Sequence, residues 1–241
     1  MAIHLRKSAS KLWRRVVNRL ARGRRILVIG DSHGGIFEYC FDRGLLSPHW
    51  LNCEIVAGAT AYGLNNDHAA TGAWHKFSAA LERFSRFDVV VIVLGECDCS
   101  YALWKKAESC STAPTELIAH SLRGISRLVA KISSSSCERR IVLAGACLPS
   151  IEDRMASSQE NVLRRQITAT QRERTNLVLE YNRRLAGLAE ELGVKYFDLT
   201  DETMDKQTGL LSRSYAAGPD DHHLSHSASG LLWTKALQGV L

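Results

Sequence analysis

The chain has 241 residues, of which 45% are hydrophobic and 23% are charged, and its net charge is +6. This length suits one sizeable domain with its own core, and the apolar content excludes a disordered or low-complexity chain. No stretch approaches the ~18 consecutive apolar residues that a membrane-spanning helix needs. Seven scattered cysteines without a C-x-x-C pair favour free thiols, so the sequence predicts a protein of a reducing, cytoplasmic compartment.

Basic charge is concentrated in residues 1–25, which hold nine Lys and Arg residues and no acid. Residues 26–241 therefore carry a net charge of −3, the total of +6 less this +9, and no nucleic-acid partner is predicted for them. Apolar residues recur at helical spacing among the basic ones, at Leu5, Leu12, Val16 and Leu20. This amphipathic segment is interpreted as a peripheral membrane contact, a transit-type presequence or a solvated helix that precedes the domain.

From residue 26 onward, short apolar runs alternate with longer amphipathic stretches. The runs predict five strands, at 25–30, 54–58, 88–95, 140–145 and 194–199. Helices are predicted over 115–133, over about 158–192 with a break near 168–175, and over 227–240. Continuous apolar strands separated by helices indicate a parallel sheet covered on both faces. The predicted fold class is α/β, a three-layer α/β/α sandwich with a central five-stranded parallel sheet, forming one domain over residues 26–241.

Residues whose side chains could take part in catalysis follow the predicted strand ends, where ligands bind in sheets of this kind. The first block is Gly30-Asp31-Ser32-His33, in which Asp31 or Ser32 taken alone could simply cap a helix. Three more blocks follow in order: Gly58 to Asn66 with a glycine at 63, Gly95-Glu96-Cys97-Asp98-Cys99, and Asp220-Asp221-His222-His223-Leu224-Ser225. Each block is weak by itself, and the ordered set is what points to a function.

The ordered set resembles the SGNH/GDSL hydrolase superfamily, in the form with G-D-S-H, G-E-x-D-C and D-x-x-H-L blocks that resembles bacterial proteins acting on polysaccharides. The resemblance implies Ser32 as the nucleophile, His223 as the general base and Asp220 as the carboxylate that orients this base. These residue types suit the chemistry, because an imidazole must take the serine proton and a carboxylate fixes its tautomer. Asp31, Glu96 and Asp98 are predicted to support the site.

The oxyanion hole is predicted to use the backbone N–H groups of Ser32 and Gly63, with Gly58 as the competing choice for the second donor. The superfamily usually supplies a third donor from an asparagine in block three, where this chain has Cys97. A thiol is a weak donor, and losing one oxyanion donor typically costs about 10²–10³ in rate. This departure bears on the strength of catalysis and leaves the fold prediction unchanged.

The fourth block contains residue types that bind zinc, since His222, His223 and His226 lie near two aspartates. Their spacing matches no common zinc pattern, so the sequence predicts neither a metal nor another cofactor.

The predicted function is a serine esterase that acts through an acyl-enzyme on O-acyl (O-acetyl) esters of a carbohydrate, so the expected partner is a small-molecule or glycan ester. Two alternatives stay open. One is a carbohydrate O-acyltransferase that uses the same three residues, and the other is a non-catalytic module of this fold that binds a glycan or a protein partner.

Overall fold

A computed structural model describes residues 23–84, 86–135, 139–153 and 167–241. Its centre is a five-stranded parallel sheet with the strand order β2-β1-β3-β4-β5. The strands are β1 (Arg25–Gly30), β2 (Trp50–Ile55), β3 (Val89–Val93), β4 (Arg140–Ala144) and β5 (Lys195–Phe197). The predicted parallel sheet is confirmed.

Helices cover the sheet on both sides. They are α1 (Gly35–Asp42), α2 (Ala73–Arg83), α3 (Leu103–Cys110), α4 (Ile118–Ser135), α5 (Gln171–Glu191), α6 (Thr200–Thr203) and α7 (His226–Val240). Helix α1 packs against α7, and α4 packs against α5. Every residue of β3 is buried, as expected for a strand with helices on both faces. The predicted three-layer sandwich is therefore confirmed.

The register of the sheet brings three strand ends to one edge. Gly30 at the end of β1 pairs with Ile55 of β2 and with Val93 of β3. Since the strands are parallel, the loops that leave them emerge side by side at this edge. These loops carry the first three predicted blocks.

The second strand is predicted at 54–58 but runs from Trp50 to Ile55. It is an edge strand that pairs only with β1 among the described strands, and most of its side chains are partly exposed. Such a strand has no continuous apolar run to reveal where it starts. It has ended before Gly58, whose φ of +70° belongs to a left-handed turn.

A second sheet was not predicted. Strands β6 (Ala216–Gly218) and β7 (Asp221–Leu224) form a short antiparallel hairpin, and β7 carries most of the fourth block. The hairpin escapes sequence reasoning because strands of three and four residues are too short to show hydrophobic periodicity.

The helix predicted over 158–192 begins at Gln171, where Thr170 forms a capping box with Glu173. Residues 158–166, which that prediction includes, lie outside the described residues, as do residues 1–22 of the basic segment. No helix in the described part of the chain is both long and apolar enough to cross a membrane.

One aromatic cluster fixes the last helix. The buried Trp233 of α7 packs edge-to-face on Phe37 of α1 and on Phe197 of β5, with ring centroids 5.3 and 5.8 Å away. Because α7 begins directly after β7, this packing holds the fourth block next to the loop that follows β1.

Candidate active site

Ser32 lies just beyond the carboxyl end of β1, the strand between β2 and β3. The Asp31 N–H donates to the Val93 carbonyl at 3.0 Å, and Asp31 caps the short 3₁₀ turn Ser32–Gly34. A Cβ on Gly30 would lie 2.2 Å from the Val93 carbonyl oxygen, so glycine is required for this close approach. The tight turn places Ser32 directly beyond the sheet edge.

His223 lies on β7 and is oriented by a carboxylate. Asp221 Oδ1 accepts the His223 backbone N–H at 2.9 Å and contacts the ring Nδ1 at 2.7 Å. Burial alone would raise the pKa of Asp221, but the hydrogen bonds from His223 and the nearby imidazoles lower it. With Nδ1 donating to an ionised carboxylate, Nε2 carries the lone pair that a general base needs.

The carboxylate on His223 differs from the one implied by the family resemblance. Asp220, which the D-x-x-H spacing assigns to this role, lies in the turn between β6 and β7 and is partly buried. The residue that contacts Nδ1 is its neighbour Asp221. Asp221 comes two residues before His223 in the sequence. At this spacing an aspartate readily accepts hydrogen bonds from both the ring and the backbone N–H of the histidine.

Ser32 and His223 line the same cleft, whose volume is about 610 Å³. Within the described ranges, no hydrogen bond joins the Ser32 hydroxyl to the His223 ring. Serine–histidine contacts are often long in a free enzyme and tighten with substrate. The structure thus brings the predicted nucleophile and base to one opening.

Other residues of this cleft were not singled out from the sequence. They are Tyr39 from α1 and Ser227 from the start of α7, beside Ser225 of the fourth block and His226, which was considered from the sequence only as a zinc-type residue. The Tyr39 and His226 rings have centroids 5.6 Å apart. Ser227 was within reach of sequence reasoning as a close neighbour of His223, whereas Tyr39 enters only through the packing of α1 against α7.

The predicted oxyanion donors have different surroundings. The Ser32 N–H begins the 3₁₀ turn, where backbone N–H groups have no partner within the turn. The Gly63 N–H instead donates to Thr60 Oγ1 at 2.9 Å, while Gly58 occupies the left-handed turn after β2. Cys97 is buried at the start of a π-helical turn, Asp98–Ala102.

Asp98 joins the second and third blocks. Its fully buried carboxylate accepts the Ala61 N–H at 2.8 Å, the Tyr62 N–H at 2.9 Å and the Ser121 hydroxyl at 2.7 Å. Burial raises the pKa of Asp98 to about 6, and the three hydrogen bonds oppose that rise. Asp98 therefore supports the site by anchoring the loop that contains Gly63.

His33, which directly follows Ser32, is buried between two acids. Its Nδ1 lies 3.2 Å from Asp31 Oδ1 and 3.7 Å from Glu96 Oε2, and its Nε2 lies 3.2 Å from the His222 carbonyl oxygen. Burial alone would lower the pKa of His33, but Glu96 and Asp31 together raise it to about 9. The two acids favour the protonated ring, and the contacts of both nitrogens leave neither free for the role of general base.

Three imidazoles here have ligand atoms within 4.8 Å of one another, those of His33, His222 and His223. Both ring nitrogens of His33 already contact oxygen atoms, and an imidazolium has no lone pair for a metal. The contacts in the described region favour a hydrogen-bonded cluster over a three-histidine metal site.

The comparisons with known proteins identify the fold. No protein-family model matches the sequence, and no curated protein matches it. A GDSL-like lipase from Bacteroides thetaiotaomicron is similar in structure, with a TM-score of 0.60 at 15% identity over 92% of this chain and 91% of that one. A carbohydrate acetylesterase from Sinorhizobium meliloti has a TM-score of 0.56 at 15% identity, over 90% of this chain and 100% of that one.

A third similar structure is the periplasmic domain of a lipopolysaccharide acetyltransferase from Salmonella ser. Paratyphi A. Its TM-score is 0.58 at 15% identity, over 90% of this chain and 84% of that one. The chain has the SGNH/GDSL hydrolase fold. Within this SGNH fold, the four blocks converge at the sheet edge that the register of β1, β2 and β3 defines.

Proposed function

We propose that the chain is a serine esterase that acts through an acyl-enzyme. The observation that carries the proposal is that Ser32 and His223 line one cleft, and that Asp221 Oδ1 contacts the Nδ1 of this histidine. Two histidines line the cleft with Ser32, His223 and His226, and among the described residues His223 is the one with a carboxylate on its Nδ1. Both nitrogens of the neighbouring His33 contact oxygen atoms. The assignment of Asp221, rather than Asp220, as the orienting carboxylate is part of the proposal.

The proposed reaction has two halves. Ser32 Oγ attacks the ester carbonyl carbon while its proton passes to His223 Nε2, and the Ser32 N–H donates to the developing oxyanion. The bond to the leaving alcohol then breaks, and this alcohol takes the proton from His223. Water loses a proton to His223 and attacks the acyl-enzyme, which releases the carboxylic acid and restores the Ser32 hydroxyl.

The proposed substrate class is an O-acyl ester of a carbohydrate, with O-acetyl as the simplest case. The cleft has a hydroxyl-rich wall at Ser225 and Ser227 and an aromatic ring at Tyr39. Hydroxyl groups and aromatic faces are the two kinds of surface that a sugar ring contacts, through its own hydroxyls and its C–H faces. The carbohydrate acetylesterase among the similar structures supports the same class.

An acyltransferase is the second candidate, and the lipopolysaccharide acetyltransferase domain among the similar structures favours it. It would share the acyl-enzyme and differ only in the acceptor, because a sugar hydroxyl rather than water would attack. Sugar acceptors added to an ester assay separate the two, since a transferase forms acylated sugar in place of free acid.

The experiment that tests the proposal is labelling with a serine-directed fluorophosphonate, followed by intact-mass analysis. We expect one adduct, absent in Ser32→Ala and present in Ser47→Ala, a matched serine outside the cleft. Release of acetate from O-acetylated glycans then tests the substrate class. A folded wild-type protein with no adduct and no acetate release would instead favour the non-catalytic binding module.

A further inference from the structure

We propose that Glu96 and Asp31 hold His33 as a buried cation whose Nε2–H fixes the His222 carbonyl, and that this contact positions His223 opposite Ser32. Glu96 and His33 are thus positioning residues that act through the hairpin. This inference deepens the proposed function and rests on it, except that the contact itself can be tested without activity.

The first argument is burial. Asp31, Glu96 and His33 are 1%, 3% and 5% exposed. Two carboxylates this deeply buried need a cation beside them, because an isolated buried charge is strongly unfavourable. His33 contacts both, so its charge has a structural cause that does not depend on solvent.

The second argument is the number of protons that the ring must carry. The Nδ1 atom of the ring contacts the Asp31 carboxylate, and its Nε2 atom contacts the His222 carbonyl oxygen. A neutral imidazole has only one N–H, so one of these nitrogens would direct a lone pair at an oxygen atom. Only the imidazolium donates to both partners, which makes the contact with His222 dependent on the two acids.

The third argument is the weak anchoring of β7. Strand β7 belongs to a two-stranded hairpin and has no partner in the five-stranded sheet. Its backbone is held toward the domain by Ser150 Oγ, which donates to the Asp221 carbonyl at 3.0 Å, and by His33, which donates to the next carbonyl. The His33 and His223 rings also lie in contact, with centroids 4.7 Å apart. Loss of the His33 contact would therefore remove the hydrogen bond next to His223 and let this residue shift, while Ser150 and the packing of α7 still hold the rest of the hairpin.

The inference explains two residues that the proposed chemistry does not use. Glu96 stands in the third block one position before Cys97, and His33 directly follows the nucleophile. Neither lies on the proposed path of the proton between Ser32 and His223. Both are instead placed where they tie the first, third and fourth blocks together.

The test compares Glu96→Gln, which keeps the shape and removes the charge, with Glu96→Asp, which keeps the charge. For Glu96→Gln we expect kcat to fall about 10- to 100-fold with KM near the wild-type value, because displacing a catalytic group by about 1 Å costs up to that much. Glu96→Asp is expected to retain more activity. Glu82→Gln and His68→Gln, at exposed positions, serve as matched controls.

Nitrogen NMR of the histidine rings gives a readout that does not need activity. In the wild type we expect both His33 nitrogens to be protonated at pH 7.5, and in Glu96→Gln we expect partial loss of this proton together with shifts in the His222 and His223 amide signals. If the His33→Gln variant folds, it is added to the comparison. If this variant does not fold, Glu96→Gln alone still decides the test. A Glu96→Gln protein with wild-type kcat and unchanged amide signals would overturn the inference.

The two proposals fail in distinguishable ways. Wild-type protein that neither labels at Ser32 nor cleaves esters would contradict the esterase, and the NMR comparison would still decide whether His33 holds the hairpin. Wild-type protein that labels and cleaves, with Glu96→Gln indistinguishable from it, would leave the esterase standing and reject the positioning role.

Discussion

His33 and His223 lie with ring centroids 4.7 Å apart, and each is held by the aspartate two residues before it. Asp31 Oδ1 binds the amide and Nδ1 of His33, and Asp221 Oδ1 binds the same two groups of His223. The local geometry is the same, but the surroundings differ, since the His33 side chain is 3% exposed and that of His223 is 26% exposed. Two like units thus give a buried imidazole between two acids, the proposed cation, and a more accessible imidazole, the proposed base.

The choice of orienting carboxylate is directly testable. We expect Asp221→Asn to lower kcat by about 100-fold or more, because an amide can bind Nδ1 in the wrong tautomer and leaves the imidazolium unpaired. Asp220→Asn, the adjacent matched variant, is expected to have a much smaller effect. Ester hydrolysis at saturating substrate measures both, and the opposite order of effects would return the role to Asp220.

The cysteine in the third block is expected to limit the rate. Cys97→Asn would place an amide donor where a weak thiol donor stands, so activity should stay the same or rise, by up to about 100-fold. Cys110→Asn at an exposed cysteine is the control. Turnover of p-nitrophenyl acetate is the measurement, and a collapse of activity would reveal a different role for Cys97.

Asp98 is expected to contribute strongly to stability. Asp98→Ala leaves two backbone N–H groups and the Ser121 hydroxyl without their acceptor, which should lower the free energy of unfolding by about 3 kcal/mol. Asp201→Ala, whose parent side chain is 94% exposed, should change it by less than about 0.5 kcal/mol. Urea unfolding compares them, and similar midpoints for the two variants would contradict the anchoring role.

Stability should depend on the charge of His33. Its pKa is about 9 in the folded protein against an ordinary value of 6.5, so the folded state binds this proton more tightly than the unfolded state does. The stabilisation is therefore complete below pH 6.5 and is lost as pH rises through 9, with a limit on the order of 3 kcal/mol. Among the described residues, the charged and titratable groups around the ring are Asp31, Glu96, Cys147, His222, His223 and His226.

Urea unfolding of the wild type and of His33→Gln between pH 6 and pH 9 isolates this contribution. The wild type should lose stability across that range, and the variant should show a flatter profile. If the stability of both proteins depended on pH in the same way, a group other than His33 would be responsible.

Membrane contact by residues 1–25 is a separate prediction. With nine basic and no acidic residues, this segment should draw the chain to vesicles that contain anionic lipid and not to zwitterionic ones. Flotation of the full chain and of a variant lacking residues 1–22 measures the difference. Equal flotation of the two proteins would favour the solvated-helix interpretation.

Sequence patterns predicted the sheet and the approximate limits of α4 and α7, because their signals are local. A buried strand such as β3 must be apolar throughout, and an amphipathic helix must repeat its apolar residues with its own period. The edge strand β2 was misplaced and the β6–β7 hairpin was missed because these signals are absent there. Their partly exposed, polar or very short segments carry no such pattern.

The sequence by itself also determined the kinds of groups available at the site, since the blocks around Ser32, Cys97 and His223 and their order are read directly from the chain. Which groups pair with which was decided only by tertiary structure. Hydrogen bonds between Asp98 and Ala61, or between His33 and the His222 carbonyl, join residues 37 and 189 positions apart. Even the choice between Asp220 and Asp221 depended on the backbone of a hairpin, because two adjacent aspartates differ in direction and not in chemistry.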